Sequence, residues 1–221
     1  MPRTAFEQQL HELEDDLLAL GSMVEKAVLR SIDALKRRDH VEAQQVVGDD
    51  KLVNEKRFQI EEKCLQLLAT QQPMAVDLRT IVSVLHISVD LERMGDHAEG
   101  IARVSLRIGD EPFIKPLVDI PRMADLALDM LRRSLDAFTR RDVELAKQVA
   151  RDDDEVDVLH EQVYRDLLTY MIENRENINQ STYLTWVAHN LERIADRSTN
   201  IAERVVFAAT GRMEEIGASM Y

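Results

Sequence analysis

Residues 91–102 read LERMGDHAEGIA and residues 191–202 read LERIADRSTNIA. Leu, Glu, Arg, Asp, Ile and Ala recur in register, 100 residues apart. A chain that repeats itself at long range is built from two copies of one supersecondary unit. Working outward, SIDALKRRD at 31–39 matches SLDAFTRRD at 134–142, and Asp50-x-x-Val53-Asn54 matches Asp153-x-x-Val156-Asp157. These upstream pairs lie 103 residues apart, so one connection is three residues shorter in the second copy. Length changes belong in loops, which predicts that the helices themselves are copied and the difference sits between them.

Apolar spacing assigns the elements. Leu10, Leu13, Leu17, Leu20, Val24 and Ala27, followed by Ser31 and Ala34, alternate in steps of three and four, a heptad seam on a helix over about 6–36. A second helix over about 41–69 carries Val46, Val53, Ile60, Cys64 and Leu67 on one stripe. Gln71-Gln72-Pro73 breaks the chain, because the residue before proline avoids helical geometry. A third helix, about 74–108, carries Val84, Ile87, Leu91, Met94, Ala98 and Ile101. The stretch GDEPFIKPLVDIP at 109–121 separates the halves, and three further helices repeat the pattern. After Gly211 the pattern fades and the last ten residues are expected to fray. The prediction is an all-α fold of six long helices in two tandem three-helix bundles, over 1–110 and 117–210, superimposable on each other as an internal repeat.

Composition limits function. The formal net charge of −13 argues against nonspecific binding to nucleic acid or anionic lipid and suits cations or basic surfaces of partners. Cys64 is the single cysteine, so an intrachain disulfide is impossible, and its place on the apolar stripe reads as core. No apolar run is long enough to span a membrane, and the N-terminus lacks a leader pattern, so a cytosolic protein without membrane insertion is expected. There is no Gly-rich phosphate loop, no H-x-x-x-H pair and no nucleophile constellation.

The residues that bear chemistry are carboxylates. Glu92 with Asp96, and Glu192 with Asp196, are four apart on a helix and share a face. Counting 100° per residue turns them away from the apolar stripe, toward solvent. Like charges at that spacing cost the helix a few tenths of a kcal/mol per pair, a sign that a bound cation would reverse. Oxygen ligands suit hard cations such as Mg, or Mn, Fe or Zn held by carboxylates. Against this, charges on an outer helix face are usually just solvated, and Arg93 and Arg193 have the spacing to pair with Asp96 and Asp196. Asp50 and Asp153 fall on the apolar stripes of their helices, as does His160, and Asp157 lies four after Asp153. A buried carboxylate needs a partner. Two readings stay open there: polar register features at a solvated seam end, or ligands.

The combination resembles the PhoU family. The resemblance rests on Asp77-Leu78-Arg79 after Gln72-Pro73, on Asp90 to Ala98, and on Asn190 to Asp196 with Asn200. It covers essentially the whole chain and implies that the two bundles are related by an internal pseudo-twofold. It implies a bacterial cytosolic adaptor, not an enzyme, between the ATPase subunit of the phosphate ABC transporter and a sensor histidine kinase, repressing phosphate uptake and the phosphate regulon when phosphate is plentiful. It also implies metal on the acidic motifs, here Glu92 and Asp96, Glu192 and Asp196, and Asp153 and Asp157. Asp50 matches, but Asn54 and Gly100 depart from the acidic pattern and favour the second half for metal. The alternative class is a carboxylate-metal helical protein with a metal-handling or enzymatic role. Leu18, Leu29 and Ile32, off the first helix's seam, raise the expectation of a homodimer.

Overall fold

The repeated stretch 31–39/134–142 dictates the same turn twice. Arg38 and Arg141 both adopt the left-handed region at φ 55°. Asp39 and Asp142 then donate their backbone N–H groups to Ala34 O and Ala137 O, each at 2.9 Å, closing the preceding helix. Their carboxylates accept from Glu42 N and Leu145 N, each at 3.0 Å, and so cap the next helix. About two helical turns before each left-handed residue, Ser31 and Ser134 are buried and donate to the carbonyls of Val28 and Leu131, both at 2.8 Å. Equal sequence has produced equal geometry.

A computed structural model describes residues 3–216. Its helices are α1 (Arg3–Arg37), α2 (His40–Gln71), α3 (Val76–Ile108), α4 (Asp119–Arg140), α5 (Val143–Glu173) and α6 (Ile178–Thr210), with a 3-10 turn at Arg175–Asn177. Among the described residues there is no strand. The expected helices are all present, with ends shifted by at most three residues. Pro121 belongs to the first turn of α4 rather than to the linker, since a missing N–H is harmless there. Gly211, at φ 79°, ends α6. Of the ten C-terminal residues expected to fray, 217–221 lie outside the described residues, as do residues 1–2 of the first half.

The three-residue difference is not confined to a loop. Four residues separate α2 from α3 and α5 from α6. In register, α5 ends one residue earlier than α2, and α6 begins two residues later than α3. The helix ends absorb the deletion because the last turns have fewer neighbours to lose.

Helices α2, α3, α6 and α5 lie side by side in that order, and α1 and α4 cover one face of the row. The pseudo-twofold passes through the α1–α4 and α3–α6 contacts. One apolar core runs through both halves, from Leu13, Leu17 and Leu20 on α1 to Phe138 on α4 and Leu191 and Ile194 on α6. Where α1 meets α4, a Cβ on Gly21 would stand 2.4 Å from Leu135 Cδ1, so a larger residue there would require the Leu135 side chain to shift. The off-seam residues of α1 are used mostly here: Ile32 is buried and Leu18 packs on the core, leaving Leu29 exposed. Cys64 is buried, with its thiol directed at Ile81 O.

Candidate metal centres and the crossing between them

The row of four helices brings each pair of acidic motifs together. In the first half Asp50 on α2 faces Glu92, Asp96 and Glu99 on α3. Burial, followed by the charges of Asp96, Glu99 and Glu92, pushes the Asp50 carboxyl up to about 6. Glu92 and Asp96 are also raised, by burial first and then by like charge. Asn54 donates to Asp50 Oδ2 at 2.9 Å, while Asp50 Oδ1 is buried without a partner. Glu99 was not among the expected ligands. Its i,i+3 spacing from Asp96 is the signal that places it on the same face.

In the second half Asp153 and Asp157 on α5 face Glu192 and Asp196 on α6. Burial, followed by Asp196, Asp157 and Glu192, pushes Asp153 up to about 7. Burial and Glu192 push Asp196 up to about 6, and Asp157 is raised by burial and Glu192. Asp153 Oδ1 is again buried and unpartnered, at the position equivalent to Asp50 Oδ1. The expected Arg193–Asp196 pair forms at 2.9 Å. Arg193 also donates twice to Glu192, at 2.7 and 2.8 Å. Glu192 does not point into solvent as the helical count implied. It is only 9% exposed, because α5 closes over it.

The expected carboxylates of each half thus face one another across a helix–helix seam. Among the described residues, however, no three His, Cys, Asp or Glu side chains stand close enough to hold one ion as they are. The donor set nevertheless fits a cation. Each half concentrates carboxylates at a helix–helix seam, and each leaves one buried carboxylate oxygen without a hydrogen bond, at equivalent sites. A cation held there by rotated carboxylates would partner that oxygen and relieve the like-charge repulsion.

Between the two clusters, α3 crosses α6 through a polar arrangement that obeys the pseudo-twofold. Asp90 Oδ1 accepts from Arg197 Nη1 at 3.4 Å and Asn200 Nδ2 at 3.3 Å. At the equivalent place, Asn190 Oδ1 accepts from His97 Nδ1 at 2.9 Å. Burial holds the His97 imidazole below its usual range, in the neutral form that donates through one nitrogen. A Cβ on Gly100 would lie 3.1 Å from Asn190 Oδ1. Gly100 thus makes room for Asn190 at the crossing and is not a lost ligand of the first cluster. Asn200 likewise donates to Asp90 across the crossing. Trp186, 43% exposed, sits under the Arg107 guanidinium and beside Tyr183.

Comparison with known proteins follows the same division. The family model for the PhoU domain matches twice, over residues 17–105 and 120–205. The chain is 36% identical over 217 residues to a protein of Clostridium acetobutylicum described as a phosphate-specific transport system accessory protein PhoU homolog, covering 98% of this chain and 99% of that one. A protein of the same description from Caulobacter vibrioides is 40% identical over 208 residues, covering 94% and 90%. The crystal structure of PhoU from Pseudomonas aeruginosa superimposes with a TM-score of 0.89 at 36% identity, over 94% of this chain and all of that one. The phosphate transport system regulatory protein PhoU from Streptococcus pneumoniae superimposes with a TM-score of 0.88 at 32% identity, over 95% and 99%.

Proposed function

This chain belongs to the PhoU family, and from that membership we propose that it is a negative regulator of phosphate uptake and of the phosphate regulon. It acts as a cytoplasmic adaptor, without catalysis, between the ATPase subunit of a phosphate ABC transporter and a sensor histidine kinase. The observation that carries this reading is the near full-length similarity, in both halves, to accessory and regulatory proteins of phosphate transport. Physical features support it. No helix among the described residues is long and apolar enough to cross a membrane. The net charge of −13 suits docking on basic patches of a partner, where charge sets encounter rate and orientation.

The carboxylates are read as metal ligands: Asp50, Glu92 and Asp96 in one half, and Asp153, Asp157, Glu192 and Asp196 in the other. A di- or trivalent ion (Mg, Mn, Fe or Zn) would supply positive charge to the paired clusters and fix the outer helices on the inner ones. Exposed apolar side chains on the outer helices, Phe58 and Leu65 on α2 and Tyr164, Leu168 and Ile172 on α5, support a homodimer.

The test is capture of the tagged protein from cells grown in high and in low phosphate. Recovery of the transporter ATPase and the kinase, weakening as salt rises, is the expected result. Capture of neither in both conditions would refute the adaptor reading and favour a metal-handling role.

A further inference from the structure

We propose that the first half holds a pocket for a small organic amine, an ammonium head on an apolar body, between α1, α2 and α3. This goes beyond the adaptor and metal readings and depends on neither. A cavity of about 180 Å3 opens there. Its walls are mainly apolar: Met23 and Ala27 from α1, Val46, Leu52 and Val53 from α2, and the bare backbone of Gly95 on α3. That is more room than one metal ion fills, and walls of this kind give a metal nothing. An apolar cavity of ~150 Å3 takes a six-carbon ring, so this one suits a ligand of about seven non-hydrogen atoms.

The charged lining selects the head group. Arg30 is already held, by Glu42 and by Asp49 Oδ2 at 2.7 Å. Glu99 accepts from Arg103 at 2.5 Å. Lys26 is exposed, and its long stem lets the ammonium stay in water. Asp50 is different. Its Oδ2 accepts from Asn54 Nδ2 at 2.9 Å, while its Oδ1 is buried without a partner. Asp96, Glu99 and Glu92 add like charge at that carboxylate, so the vacant oxygen favours a cation that also donates a hydrogen bond. An ammonium does both, and the apolar walls take the rest of the molecule.

The duplicated framework supplies an internal control. In register, Ala27 corresponds to Met130 and Gly95 to Ala195. Met130 and Ala195 are both buried in the core of the second half. A longer side chain and an added methyl therefore stand where the first half leaves room. A Cβ on Gly95 would lie 3.0 Å from Val53 Cγ1 and 3.6 Å from Asp50 Oδ1, so the glycine keeps space beside the vacant oxygen. Asp50 and Asp153 are common to both halves, and each has an unpartnered Oδ1. The halves differ in the room next to that oxygen.

The experiment uses the full chain at pH 8, labelled with 13C in its methionine methyls, and n-alkylamines from methylamine to octylamine. Chelator is present, because a metal ion and an ammonium would compete for the same oxygen. Hexylamine should shift the Met23 methyl signal and leave that of Met130 in place. Affinity should rise roughly fourfold per added CH2 and level off once about seven non-hydrogen atoms fill the cavity. Hexanol should bind about 10–100-fold more weakly than hexylamine. Ala27→Met, which gives the first half the residue of the second, should abolish hexylamine binding. Asp50→Asn leaves the size of the cavity unchanged and should erase the preference for amine over alcohol. Affinity that ignores chain length, an Ala27→Met variant that binds as the wild type does, or an amine preference that survives Asp50→Asn would overturn the proposal. So would a Met23 signal that stays in place at millimolar hexylamine.

Discussion

Replacing Asp153 by Asn should stabilise the metal-free protein above neutral pH. Asp153 sits half-buried with one unpartnered oxygen, facing Asp157, Glu192 and Asp196. Its carboxyl is pushed from 3.8 up to about 7, so folding disfavours the charged form. Below the unfolded value of about 4, both states are protonated and the group costs nothing. As pH rises toward 7, the unfolded chain releases the proton while the folded chain retains it, and stability falls. Above 7 the full penalty applies. Fully shielded, that displacement would be worth roughly 4 kcal/mol, but a half-buried group is screened by solvent, which brings it to about 1–2 kcal/mol. Asn keeps the shape, and its NH2 can donate to the surrounding carboxylates. In chelator at pH 8, D153N should therefore melt about 2–8 °C above the wild type. At pH 5.5 the gap should shrink to about half. Thermal unfolding followed by circular dichroism reads both. A variant that is less stable than the wild type at pH 8, or a gap that ignores pH, would refute the reasoning that like-charge crowding strains this seam. Saturating cation should reverse the order, because a ligand of the native state stabilises the chain that keeps the carboxylate.

Further outcomes follow from the packing. Phe138→Ala removes a fully buried ring where α4 joins the common core, and should cost about 3–5 kcal/mol in urea unfolding. Asp39→Ala and Asp142→Ala each remove an N-cap, and should cost ~1 kcal/mol apiece and add in the double variant, because the caps share no partner. Cys64, buried and with its thiol pushed up to about 12, should react with a thiol reagent at pH 8 only as fast as the protein unfolds. Reaction on mixing would contradict its place in the core.

Periodicity and repetition made the helices legible, because each long helix has one apolar stripe and the seam residues from Leu13 to Ile201 lie buried where the heptad count puts them, except at Ala27, which is half-buried while its neighbour Val28 is fully buried. The copied SIDALKRRD and SLDAFTRRD stretches encoded the copied turns. The carboxylate pairs were legible as pairs for the same reason, since i,i+4 spacing fixes a shared face. The depth of Glu192 was not legible. A helical count gives direction around one helix, whereas burial depends on how closely the next helix approaches. The α3–α6 crossing was hidden similarly. Nothing in the local pattern of Asp90, His97 or Gly100 says that their partners are Arg197, Asn200 and Asn190 on the other copy. The position of the three-residue deletion was hidden because offsets count residues without showing where a helix ends.

Regulation of the phosphate response is tested most directly by deleting the gene and measuring phosphate-starvation transcripts and cellular phosphate in rich phosphate. The protein proposed here as a brake should, when lost, leave the starvation genes switched on and phosphate over-accumulated, with both restored by the wild-type gene. A deletion strain whose starvation genes stay silent in high phosphate, with normal phosphate content, would contradict it.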